Sequence, residues 1–226
     1  MNIFWVRPEV RDLKDNEIRI YFFRPDGWEE KVYAYVYSED EKEVKPWPGM
    51  EMEYSNTNFY IDRAYKGYYS LIVPLQSVYH HHVIFSDGKQ QLPGIYEEVF
   101  PAVTGYYNKD GFKGLKTTSK YGISVVIEAK RTIYYRPKND WEKVYAHFYS
   151  TITGIQGASS YWSSEKMYKT KNGNYVLYVG ADHSSKVIVA FHDGNLDENK
   201  KRWDNNHGYN FEVDANNQNN VINHTI

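Results

Sequence analysis

RPDGWEEKVYAYVY, residues Arg24–Tyr37, returns as RPKNDWEKVYAHFY, residues Arg136–Tyr149. The offset is 112 residues from Arg24 to Arg136 and again from Tyr33 to Tyr145. Downstream, WPGMEM (Trp47–Met52) is echoed by WSSEKM (Trp162–Met167), and VIFSDG (Val83–Gly88) by VAFHDG (Val189–Gly194). Three matched segments in the same order, at a domain-sized period, define a tandem of two modules and exclude a solenoid. The modules are expected over residues 1–118 and 131–226. The Gly-, Lys-, Asp-, Thr- and Ser-rich stretch Asn108–Lys120 makes 108–130 the linker candidate. The apolar run Ile123–Ile127 could join either module.

Short β-branched and aromatic runs alternate with Gly, Asn, Asp and Pro turns, as at Ile18–Phe23, Tyr68–Val73, Ile133–Tyr135, Tyr175–Tyr178 and Val187–Phe191. No window sustains a helical apolar stripe over three turns. The pattern predicts an all-β chain: two tandem immunoglobulin-like antiparallel β-sandwiches. Side chains of a strand alternate between faces. In the repeated strand, Val32, Ala34 and Val36 therefore share one face, and Tyr33, Tyr35 and Tyr37 the other. In the second copy Val144, Ala146 and Phe148 oppose Tyr145, His147 and Tyr149. The small apolar face is the core side, which leaves a row of rings turned towards water. Trp28 and Trp141 precede these strands at matched places and read as packing residues.

Lys and Arg number 27 against 29 Asp and Glu, a formal net charge of −2. That balance gives no basic footprint for nucleic acid. No apolar run reaches the length of a membrane span, and no signal peptide is visible. Without cysteine there is neither a disulfide framework nor a thiolate metal site. Tyr and Trp are abundant, 23 and 6, against 4 Met. Their apolar bodies and polar tips suit half-wet surfaces.

An outward row of rings is an adhesive patch that asks for a partner. Pyranose rings present C–H groups that pack on the negative face of an aromatic ring. Their edge hydroxyls need amide or imidazole partners. Such groups follow the landmark turns: Gln90 and Gln91 after SDG, and Asn205 and Asn206 in RWDNN after HDG.

On IYFFRPDGW, VYAYVY, PWPGMEM and VIFSDGKQQ, the first copy resembles a family 26 carbohydrate-binding module. On IYYRPKNDW, VYAHFY, YWSSEKM, VAFHDG and RWDNNHGYNF, the second resembles a family 25 module. Both are related starch-binding β-sandwich families that often accompany bacterial amylase domains. The resemblance implies non-catalytic binding of starch, amylose, amylopectin and maltooligosaccharides by a monomer, with no cofactor, secreted or held on a bacterial surface. It implies a sugar platform of Tyr33, Tyr35 and Trp47, with Gln91 or Gln90 as hydrogen-bond partner. In the second copy it implies His147, Trp162 and Trp203, with Asn205 or Asn206. WSSEKM lacks the Pro-Gly turn of the first copy, which bears on the aim of Trp162. The alternative reading is a pair of immunoglobulin-like modules with a structural or protein-binding role.

Other signals are weaker. His80 and His82 share one side of a strand and could hold a metal, but spacing fixes no acidic partner, so they read as packed or solvated. Asp193, Asn195, Asp197 and Asn199 alternate like the start of a calcium loop, yet Glu198 stands where the loop needs glycine; this reads as a polar turn. The acidic residues lie mostly in polar runs such as Glu39–Glu43, unlike the paired carboxylates of glycoside hydrolysis. No GxSxG, HExxH or phosphate-loop pattern occurs.

Overall fold

The computed structural model describes residues 12–61, 64–118, 124–137, 141–150, 165–180, 186–214 and 219–223. Among them a single 3₁₀ turn, Asn206–Gly208, interrupts an all-strand chain. The first half runs β1 (Glu17–Phe22), β2 (Tyr33–Ser38), β3 (Met50–Glu51), β4 (Glu53–Ile61), β5 (Ala64–Pro74), β6 (His81–Ser86), β7 (Gln91–Leu92), β8 (Phe100–Pro101) and β9 (Gly105–Asn108). After β10 (Gly111–Thr118), the second runs β11 (Ser124–Arg136), β12 (Tyr145–Ser150), β13 (Glu165–Lys166), β14 (Tyr168–Lys169) and β15 (Tyr175–Gly180). It continues through β16 (Lys186–His192), β17 (Trp203–Asp204), β18 (Phe211–Asp214) and β19 (Asn219–Asn223).

Strand order repeats along with sequence. One layer of the first half is β3-β2-β6-β7 with β8 also on β6; its counterpart is β13-β12-β16-β17 with β18 also on β16. The other layer is β4-β5-β1-β9, matched by β14-β15-β11-β19. Even the parallel pair recurs, β1 with β9 and β11 with β19.

Alternation sets what each layer buries. Val32, Ala34 and Val36 are buried while Tyr33, Tyr35 and Tyr37 are half-buried on the opposite face. Val144 and Ala146 are likewise buried, with Tyr145 and His147 half-buried. The first core gathers Ile18, Ile20, Phe22, Val83 and Phe85; the second gathers Ile133, Tyr135, Val179, Val189 and Phe191. At about 1.5–3 kcal/mol for each large apolar side chain removed from water, these two clusters are the main source of stability. Each holds a ring stack between layers: Phe22 on Phe85 at 4.0 Å, and Tyr135 on Phe191 at 3.7 Å. Trp28 leans on the first stack and Trp141 on the second, so both tryptophans pack as expected. Met52 and Met167 are buried, and their amides donate to Val32 O at 2.8 Å and Val144 O at 2.9 Å. The shared Trp-to-Met spacing thus reflects a shared return of the chain onto the repeated strand.

The stretch 108–130 differs from a structureless linker. It carries β10 and the first part of β11, paired antiparallel with Leu115 opposite Ile127. β10 also pairs with β9, covering an edge that would otherwise present unpaired amides and carbonyls. The result is one continuous path, β14-β15-β11-β10-β9-β1-β5-β4. A polar composition hid this strand, because GFKGLKTT satisfies backbone pairing without a strongly apolar face. The halves touch elsewhere as well. Tyr79 bridges Lys169, the His80 amide donates to Lys169 O at 2.5 Å, and Tyr168 packs against the first core.

Candidate functional site

Strand β2 and the loop after it build an angled pair of rings in the first half. Tyr35 and Trp47 lie 5.7 Å apart at 67°, and Trp47 is 51% exposed. Tyr37 continues the row 5.5 Å from Tyr35. The Tyr35 hydroxyl donates to Glu43 Oε2 at 2.9 Å, which fixes the ring. Partial burial, and then the Glu43 carboxylate, push this phenol above its usual pKa. Trp47 is aimed by a tight turn in which the Gly49 amide donates to Pro46 O at 2.9 Å. Gly49 has φ +98°, and a Cβ there would sit 2.2 Å from the carbonyl oxygen of Ala34. Only glycine lets the turn lie against β2. A hollow of about 530 Å³ opens beside Tyr33, bounded by Glu29, Lys31, Pro48, Asp87 and Gly88.

Ladder register separates the two glutamines. Tyr33 pairs with Ser86, and Ser86 with Gln91, so Gln91 lies on the Tyr33 face two strands away. Its Nε2 donates to Pro93 O at 3.2 Å. Gln90 stands in the turn instead, its Nε2 3.4 Å from Asp87 Oδ2. The Asp87 carboxyl is partly desolvated, but the amides of Gln90, Lys89 and Glu29 hold it below the usual range.

The second half repeats this ladder with other side chains. Tyr145 pairs with His192 and His192 with Trp203. Trp203 therefore occupies the place of Gln91, and His192 that of Ser86. Trp203 is 44% exposed, 4.6 Å from His192 and 6.4 Å from His147 at 87°. Tyr145 stacks on His192 at 5.4 Å and 6°. Burial and then the Lys201 ammonium lower the His192 pKa to about 4. Its Nδ1 accepts the Gly194 amide at 3.0 Å, as a neutral imidazole must. Burial also lowers His147. Gly194, at φ +73°, clears the Tyr145 ring, 2.2 Å from where its Cβ would be.

β17 is anchored because Tyr135 donates to Asp204 Oδ2 at 2.6 Å. The chain then turns through Asn206 and His207, both at positive φ, with Asn206 Nδ2 donating to Asn210 O at 3.3 Å. Asn205 is half-buried and Asn206 exposed, one and two residues past β17. Trp162 lies outside the described residues. The polar turn after HDG is a run of side-chain-to-amide bonds, with Asp193, Asn195 and Asp197 each accepting from the amide two residues on. Asp193 also binds Arg202 Nε at 2.6 Å.

The structure thus gathers Tyr33, Tyr35, Trp47 and Gln91 around one face, and His147 and Trp203 around its counterpart. Gln90 stands exposed in the adjoining turn, beside Asp87. Sequence reading missed Glu43, which orients Tyr35, and His192, which backs both Tyr145 and Trp203. The H of VAFHDG, standing where the first copy has Ser, was the available signal for His192.

Each β-sandwich half thus carries half-exposed rings on the outer face of one layer. Residues 20–97 match the family CBM26, starch-binding module 26. No curated protein matches the chain. Among solved structures, a family CBM26 protein from Eubacterium rectale in complex with maltoheptaose is similar at 16% identity and TM-score 0.29, covering 92% of this chain and 90% of that one. Family 41 carbohydrate-binding modules from streptococcal virulence factors, described for α-glucan recognition, align at 12% identity and TM-score 0.30, covering 92% and 93%. Whole-chain superposition at such scores is poor and adds nothing to the site geometry.

Proposed function

We propose that this protein binds α-1,4-glucans without acting on them, through one aromatic site in each half. The observation that carries this reading is the coincidence of the starch-binding family match with the half-exposed Tyr35–Trp47 pair. Two rings at 67° suit the curved face of an α-glucan better than the flat ribbon of a β-glucan. The apolar ring faces pack on the sugar C–H faces, while Gln91 and Asn205 or Asn206 serve the hydroxyls.

The second half acts as a family 25-like module, supported by its repeated strand order and by Trp203 beside His147. Each shallow site alone binds weakly; two on one chain gain avidity on a polymer, by about 10²–10⁴ where both engage. The chain therefore holds an attached enzyme or cell-surface assembly on starch, outside the cell, as a monomer.

Titration with maltoheptaose against cellohexaose, followed by tryptophan fluorescence, tests the reading. Saturation by the first sugar alone is expected. Equal response to both sugars, or to neither, overturns it. Retention on insoluble starch should fall in Trp47→Ala and in Trp203→Ala, and vanish when both are combined with Trp162→Ala. A folded triple variant that is still retained refutes the site assignment.

A further inference from the structure

Where β2 ends and β6 begins, three potential ligands converge. Glu39, His80 and His82 each offer one donor atom, and these atoms lie within 4.8 Å of one another. The backbone enforces this: the Glu39 amide donates to His80 O at 2.9 Å, and the two histidines, two residues apart, project to one side. Glu39 Oε1 is 3.4 Å from His80 Nδ1 and 3.8 Å from His82 Nε2. Both distances exceed a good charge-assisted hydrogen bond, which spans about 2.7–2.9 Å. They are close to the separation of about 3.3 Å between two ligands of a tetrahedral zinc with bonds near 2.0 Å.

We propose that Glu39, His80 and His82 form a binding site for a divalent transition metal of the zinc type. Two imidazoles and a carboxylate match the ligand preference of zinc and leave a fourth position for water. Ligand orientation depends on outer partners, and the second half of the chain supplies them. The Tyr178 hydroxyl lies 3.4 Å from His80 Nε2, the nitrogen that faces away from Glu39. The Lys171 amide donates to the other Glu39 oxygen. Backbone bonds between His80 and Lys169 and between Lys169 and Val78 hold the two halves together beside the cluster. A metal here clasps that junction: ligands come from one half and their orienting groups from the other. His82 also packs 5.5 Å from Tyr37, at the end of the outward ring row. The site stands independently of whether the chain binds glucan.

The test uses the full chain, stripped with a chelator and titrated with zinc chloride against a chromophoric competitor. One equivalent is expected to bind with micromolar or tighter affinity and to raise Tm. Glu39→Gln and His82→Gln, checked for folding by circular dichroism, should each weaken binding at least about tenfold. Tyr178→Phe should weaken it about tenfold as an orienting residue. Cobalt(II) should give the visible absorption of a tetrahedral site, lost in His82→Gln. The proposal fails if the wild-type chain takes up no stoichiometric zinc. It fails equally if folded Glu39→Gln and His82→Gln bind zinc as the parent does, which would place the metal on other histidines. Unchanged affinity in Tyr178→Phe would overturn the orienting role of Tyr178.

Discussion

The same ladder position carries Tyr33–Ser86–Gln91 in one half and Tyr145–His192–Trp203 in the other. Strand order, core stacks and buried methionines are shared, so the scaffold is duplicated while the outer face is not. The first half places its tryptophan in the loop after β2 and an amide at β7. The second places a tryptophan at β17 itself, supported from beneath by a buried neutral imidazole. A scaffold residue must fit a densely packed interior, whereas a residue on the outer face answers only to its ligand. Two copies can therefore keep one fold and diverge in how they grip.

The largest expected effect probes the glycines that let each site form. Gly49→Ala forces a Cβ against the Ala34 carbonyl, a backbone atom that cannot move away, and should cost about 3 kcal/mol in urea denaturation. Gly194→Ala meets the Tyr145 ring, which can swing aside. It should cost only about 1 kcal/mol while weakening the second site. Equal costs would mean that the two turns are not differently constrained.

Next in size, Trp47→Ala in a Trp203→Ala background, and the reverse, should each lose about 10–30-fold in maltoheptaose affinity relative to the single-site parent. A loss confined to one half would reduce the comparison to one working site. A smaller effect is expected from exchanging the ladder residues. Gln91→Trp should tighten the first site about threefold, and Trp203→Gln should bring the second towards the first, as read by calorimetry. No change in either variant would show that this ladder position does not face the sugar.

A further effect is confined to acid pH. His192 binds its proton near pH 4 when folded, but near the ordinary 6.5 when unfolded. As pH falls from about 6.5 to 4, protons bind the unfolded chain first, so stability is lost over that window. His192→Ser, which copies the first half, should flatten this part of the thermal profile by roughly 5 °C in Tm. An unaltered profile would assign the acid sensitivity to other groups.

Much of the fold could be read from local pattern. The alternation in KVYAYVY and KVYAHFY separated core from outer face, and Trp28 and Trp141 were legible as packing residues because they recur. The sites were half legible. Trp47 and Trp203 stand out by residue type, yet Gln91 is preferred to Gln90 only on the family resemblance, because a two-residue strand such as β7 has no periodicity to read. His192 was hidden for a related reason. Its role depends on lying between Tyr145 and Trp203, and that is a matter of pairing rather than spacing.

The amino-acid sequence by itself determined the duplication, the all-β class and the two outward aromatic rows, since each follows from period-two alternation and residue chemistry within a single strand. Tertiary structure alone decided which residues sit side by side across strands. It paired the described parts of the polar stretch 108–130 as strands β10 and β11, which link the sheets of the two halves. It put Gln91 and Trp203 at one equivalent place, and brought Glu39 to His80 and His82 across a sequence gap that no local pattern spans. Register and chain return are set by the sum of distant contacts, and so become visible only when the strands are paired.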